Sequence, residues 1–107
     1  MEVFDAIAQP TRRQILRLLA GGELSAGSVA SRFALTQPAI SQHLKVLREA
    51  GLVHKRRDGT RRLYSVREEG LADVQDFLAT FFDERLQRLK AAAEAEERSG
   101  ARDARRN

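Results

Sequence analysis

Gln37, Ser41, Gln42 and Lys45 recur at a spacing that gathers them on one helix face, and Lys55, Arg56, Arg57, Arg61 and Arg62 follow soon after. These side chains are suited to recognition, not to bond making. Gln pairs bidentately with adenine, a Ser hydroxyl donates or accepts, and Lys and Arg neutralise phosphates. A slim polar helix face followed by a cationic ribbon is what gripping duplex DNA requires.

Other chemistries find little footing. The chain has no Cys, two His (His43 and His54) and only the initiator Met. Disulfides, thiolate metal sites and thiol redox sensing are therefore excluded, and a His-rich metal site is not expected. No nucleophile motif, evident carboxylate pair or Gly-rich phosphate loop occurs, so an enzyme is not expected and no cofactor is predicted.

The positioning elements follow from caps and periodicity. Glu2–Ala8 reads as a short helix with Val3, Phe4 and Ile7 on one side. Pro10 opens a second helix carrying Ile15, Leu18 and Leu19, which Gly21-Gly22 stops. Ser25 caps a third, whose Ala26, Val29, Ala30 and Phe33 form a buried stripe. Thr36 caps a fourth, Pro38 sits in its first turn, and Gly51 ends it. Ile40, Leu44 and Leu47 form the back of that helix, and Pro38, Ser41, Gln42 and Lys45 its front. Asp58-Gly59 signals a hairpin turn, which predicts the pairs Arg57–Thr60, Arg56–Arg61, Lys55–Arg62, His54–Leu63 and Val53–Tyr64. Two of these oppose like charges, which favours an anionic partner at the tip. Residues 68–97 read as one long helix.

Charge is unevenly spread over the 107 residues, whose net charge is +4. Residues 51–70 carry six basic and three acidic side chains, and residues 71–97 carry three and seven. A basic patch backed by an acidic helix suits one-sided contact with a polyanion. The long helix bears an apolar stripe of Leu71, Val74, Leu78, Phe81, Phe82, Leu86 and Leu89. One small domain would not cover it all, which predicts a homodimer. The expected organisation is one domain over residues 1–97 and a basic, disordered tail over 98–107. No transmembrane run is present. The acidic, amphipathic Met1–Ala8 does not read as a signal peptide, so a cytoplasmic location is expected.

Three segments together resemble the ArsR/SmtB-type bacterial repressors. Ala8-Gln9-Pro10-Thr11-Arg12-Arg13-Gln14-Ile15-Leu16 is similar to their helix entry. Thr36-Gln37-Pro38-Ala39-Ile40-Ser41-Gln42-His43-Leu44-Lys45-Val46-Leu47 resembles their recognition helix. Gly51-Leu52-Val53, Arg57-Asp58-Gly59 and Arg61-Arg62-Leu63-Tyr64 resemble their wing. The resemblance covers roughly residues 1–90. It implies a mainly α fold with a small β-hairpin (α+β), a winged helix-turn-helix of order α-α-α-α-β-β-α. The implied function is a homodimeric transcriptional repressor that binds a pseudo-palindromic operator. DNA contacts would come from Thr36, Gln37, Pro38, Ser41, Gln42 and Lys45, and from Lys55, Arg56, Arg57, Arg61, Arg62 and Tyr64. Both terminal helices would form the dimer interface, through Val3, Phe4, Ile7, Leu71, Val74, Leu78, Phe81, Phe82, Leu86 and Leu89. Metal-sensing members often carry Cys-x-Cys where this chain has Ser25 and Gly27, and others use His on the last helix, which has none here. The chain therefore most resembles the metal-independent, SdpR-like members; its effector stays unassigned.

Some residues keep two readings. Tyr64 either packs against Val53 or reaches a phosphate, and Arg12 and Arg13 either touch the DNA backbone or form ion pairs within the fold. His43 reads as half-buried and structural. Ala34 replaces a common turn Gly; a left-handed conformation there would cost ~1 kcal/mol. The rival function is a winged-helix interaction module whose basic wing meets an acidic protein.

Overall fold

Local capping explains where the helices begin. The computed structural model describes residues 2–106, with side chains through Arg98. Helix α1 spans Val3–Ala8 and α2 spans Pro10–Leu19. At their junction the Gln9 side chain accepts from the Arg12 N–H at 3.0 Å. Arg12 and Arg13 then turn back on α1. Arg12 Nε donates to the Ala6 carbonyl at 2.6 Å, and Arg13 Nη1 donates to those of Ile7 and Ala8 at 2.8 and 3.0 Å. In place of an ion pair within the fold, both guanidinium groups satisfy the orphan carbonyls at the end of α1.

Helix α3 is Ala26–Phe33, capped by Ser25, whose Oγ accepts from the Ser28 N–H at 3.2 Å. Ala34 takes the left-handed conformation that the turn requires, at φ 53°. Helix α4 is Gln37–Glu49, and Thr36 Oγ1 accepts from the Ala39 N–H at 3.2 Å. It ends in a Schellman arrangement. Gly51 sits at φ 76°, the Gly51 N–H donates to Arg48 O at 3.0 Å, and the Leu52 N–H donates to Leu47 O at 2.9 Å. The chain is thereby delivered into the wing with Leu52 already buried.

The wing is strand β2, Val53–Asp58, paired antiparallel with β3, Arg61–Val66. A two-residue strand, β1 (Leu24–Ser25), adds to the other edge of β3, giving the order β1-β3-β2. This strand was not expected, because Ser25 also reads as a helix cap and two residues carry no alternation. The hairpin register also differs from expectation. Asp58 pairs with Arg61, Arg57 with Arg62, Arg56 with Leu63, Lys55 with Tyr64, His54 with Ser65 and Val53 with Val66. The loop is thus Gly59-Thr60, with Gly59 first at φ 63°, where a two-residue turn favours Gly. This register sets Val53 beside Val66 and leaves Arg57–Arg62 as the one like-charge pair on the hairpin.

Ile15, Val29, Ile40, Leu44, Leu47 and Leu52 are fully buried at the centre of the core, and Val3, Ile7 and Leu71 pack partly buried against it. A 3-10 turn, Glu68–Leu71, follows the wing, so the last helix begins later than expected. There the chain recrosses its own path: a Cβ on Gly70 would collide with the Gly51 carbonyl. Contacts divide the chain into a compact unit, Met1–Val74, and a helical one from Gln75 onward.

Helix α5 spans Ala72–Arg106 and so enters the segment expected as an irregular tail. Ala, Glu and Arg favour helix, and the single Gly100 costs only ~1 kcal/mol. On α5, Phe77, Leu78, Phe81, Phe82, Leu86 and Leu89 are exposed, each by at least 42%. Phe77 belongs with the stripe read from sequence, though that reading omitted it. Among the described residues no helix is long and apolar enough to cross a membrane.

Candidate nucleic-acid interface

Parity along the hairpin decides which cations converge. Directly opposed residues of an antiparallel pair project from the same face, and the face alternates along each strand. Lys55, Arg57, Arg62 and Tyr64 therefore share one face, while Arg56, Asp58, Arg61 and Leu63 share the other.

The first face closes an open groove of about 600 Å³ against α4 and the start of α3. The helix wall is Gln37, Ser41, Lys45 and Arg48, and the wing wall is Lys55, Thr60, Arg62 and Tyr64. Ser25, Ala26 and Gly27 complete the lining. Four cations line this groove and no carboxylate does. Burial, with the nearby Arg62 and Arg48 guanidinium groups, holds the Lys55 ammonium below its ordinary value. Its Nζ stands 5.9 Å from the centre of the Tyr64 ring. Mutually repelling cations at a partly desolvated surface are relieved by an anion. The neighbouring helix front supplies hydrogen-bonding groups beside them.

The second face is neutralised by the protein itself. Glu23 binds Arg56 through both oxygens, at 2.6 Å to Nε and 2.8 Å to Nη2, and Arg61 Nη2 donates to Asp58 Oδ2 at 3.3 Å. The Arg56 hydrogen bond, more than its charge, draws the Glu23 carboxyl below its ordinary value. Arg56 and Arg61, expected among the DNA contacts, thus lie outside the groove and hold acidic partners.

The remaining expected residues separate further. Gln37, Ser41, Lys45, Lys55, Arg62 and Tyr64 meet in the groove. Thr36 caps α4, while Pro38 and Gln42 are exposed on the part of the helix front outside the groove. Tyr64 is only 9% exposed, so its ring packs into the core while still lining the groove floor. Arg57 is exposed at the tip. Arg48 and Thr60 were missed. Arg48 was legible, because it follows Lys45 by three residues on the same helix front; Thr60 became visible only once the turn was placed. His43 is half-buried, and desolvation, aided by the nearby Arg12 charge, lowers its pKa.

Metal ligands are poorly represented. Among the described residues no group of three or more His, Cys, Asp or Glu could hold a metal ion. Ser25 and Gly27 offer no thiolate, and the Ser25 hydroxyl is engaged with Ser28.

Residues 9–55 match the model for bacterial regulatory proteins of the arsR family. The chain is 40% identical over 81 residues to the transcriptional repressor SdpR of Bacillus subtilis strain 168, which covers 76% of this chain and 90% of that protein. A crystal structure of a possible transcriptional regulator for arsenical resistance superposes with a TM-score of 0.71 at 41% identity, covering 85% of this chain and 95% of that one. The solution structure of the homodimeric winged helix-turn-helix domain Mb0332 from Mycobacterium bovis gives a TM-score of 0.63 at 36% identity, covering 78% of each chain.

Proposed function

Because the chain belongs to the arsR family of bacterial regulatory proteins, we propose that it is a homodimeric repressor of transcription that reads a pseudo-palindromic operator. The observation that carries this reading is the groove, with four cations and no carboxylate beside the polar front of α4. Gln37, Ser41 and Gln42 address base edges, with Lys45 reaching toward the groove floor of the DNA. Lys55, Arg57 and Arg62 hold phosphates. Pairing of two copies through α1 and α5 gives the exposed apolar residues of α5 a cover, as befits a chain similar to a homodimeric domain. The groups that would bind a metal in sensing relatives are not present at Ser25 and Gly27, which supports a metal-independent regulator. The rival partner, an acidic protein, gains no support from relatives that are transcriptional regulators.

Selecting bound sequences from random duplex DNA, followed by footprinting, tests this reading. We expect an inverted repeat whose half-sites lie ~34 Å apart, one helical turn. Enrichment of a single, unsymmetric site would overturn the dimeric reading, and no enrichment would overturn sequence-specific binding.

A further inference from the structure

We infer that Glu23 is a positioning residue for DNA binding: through Arg56 it staples the wing across the sheet and so fixes the groove cations. The inference rests on the DNA-binding reading above. The two residues are 33 apart in sequence, and their bond is a bidentate carboxylate–guanidinium pair at 2.6 and 2.8 Å. Such pairs fix direction as well as distance.

The placement of the pair gives it leverage. Glu23 immediately precedes β1, at one edge of the sheet, and Arg56 lies on β2 at the other. Strands are spaced ~4.8 Å apart, so the link passes over the whole width of β3, about 10 Å. Strand β1 pairs only with Leu63 and Tyr64, and Arg56 stands opposite Leu63. The staple thus ties Arg56, in the last row in which three strands lie side by side, diagonally back to the residue that precedes β1. Beyond it, toward Gly59, β2 and β3 have only each other, and an isolated two-stranded ribbon is marginal. Lys55 and Arg62, which line the groove, flank this row. Releasing Arg56 lets the outer ribbon swing, and the groove cations lose their shared geometry.

Simple charge counting predicts the opposite outcome for one variant, which makes the test sharp. E23Q removes a negative charge and frees a cation, so charge alone would tighten DNA binding. The staple predicts weakening, by about fivefold, the equivalent of one good exposed ion pair. R56Q should weaken binding as well, and the E23Q/R56Q double variant should bind no worse than R56Q. The assay uses the full chain and the duplex selected by the wild type, at several salt concentrations. E23Q should leave the salt slope unchanged, since the same cations still meet the phosphates and only their ordering before binding is lost. Hydrogen exchange without DNA gives a second readout: amides of residues 55–62 should exchange faster in E23Q. Tighter or unchanged binding by E23Q, or unchanged exchange, would overturn the staple. Absence of DNA binding by the wild type would instead overturn the DNA-binding reading, and hydrogen exchange would still decide whether the staple exists.

Discussion

The two faces of the hairpin carry similar cations and meet different fates. On the groove face Lys55, Arg57 and Arg62 have no ion-pair partner among the described residues, and Lys55 and Arg62 line the groove. On the back face Arg56 and Arg61 are matched by Glu23 and Asp58. A count of Arg and Lys along the strand cannot separate the faces. What separates them is parity, and the two acidic residues that occupy one side. The charge that the fold leaves unmatched is what makes the groove face the candidate nucleic-acid surface.

The contrast is broken most forcefully by neutralising the groove face. K55Q/R62Q removes two candidate phosphate contacts per protomer. Binding should fall by at least about tenfold, and the salt slope of log K should flatten by about two per protomer. R61Q, on the back face, should leave the slope unchanged. Titrations between 50 and 200 mM salt measure both variants, and equal slopes would erase the distinction between the faces. A smaller, differently shaped effect is expected from Gly59→Val. A β-branched residue at φ 63° is strained, costing about 1–2 kcal/mol. Because the turn sets the register of both faces, thermal stability and DNA affinity should fall together. Loss of one without the other would show that the register survives.

The smallest expected effect concerns pH and the back face. The folded-state pKa of Glu23 lies below its ordinary 4.5. Its contribution to stability is therefore complete above that value and is lost as pH falls through the folded value. The thermal midpoints of wild type and E23Q should differ slightly at neutral pH and converge in acid. A gap that persists at low pH would mean that Glu23 acts through something other than its charge.

Local signals made most of the fold legible. Ser25, Thr36 and Gly51 announce helix ends within a few residues, and the caps are where they were read. The core stripe of Ile40, Leu44 and Leu47 needed only helical periodicity. The hairpin register was less accessible, since Asp-Gly at the turn competes with Gly first in the turn. The choice depends on which residues meet across the strands, such as Val53 with Val66. Those residues kept their expected faces, because the observed register differs from the predicted one by two residues, a full strand period. Their partners changed, and with them the site: Glu23 reaches Arg56 across 33 residues, and no local pattern announces that. Gln37, Ser41 and Lys45 were found because one helix face carries them, whereas Arg48 required following the same face one turn further.

Gly51 and Gly70 cross in contact, and between them the Arg67 N–H donates to the Leu52 carbonyl at 2.8 Å. The wing leaves the body and returns to it through a single gate. Between that gate and Gly59 the strands carry the core residues Val53 and Tyr64 near their roots and the groove cations Lys55 and Arg62 further out, so one crossing anchors both the packing and the cationic wall.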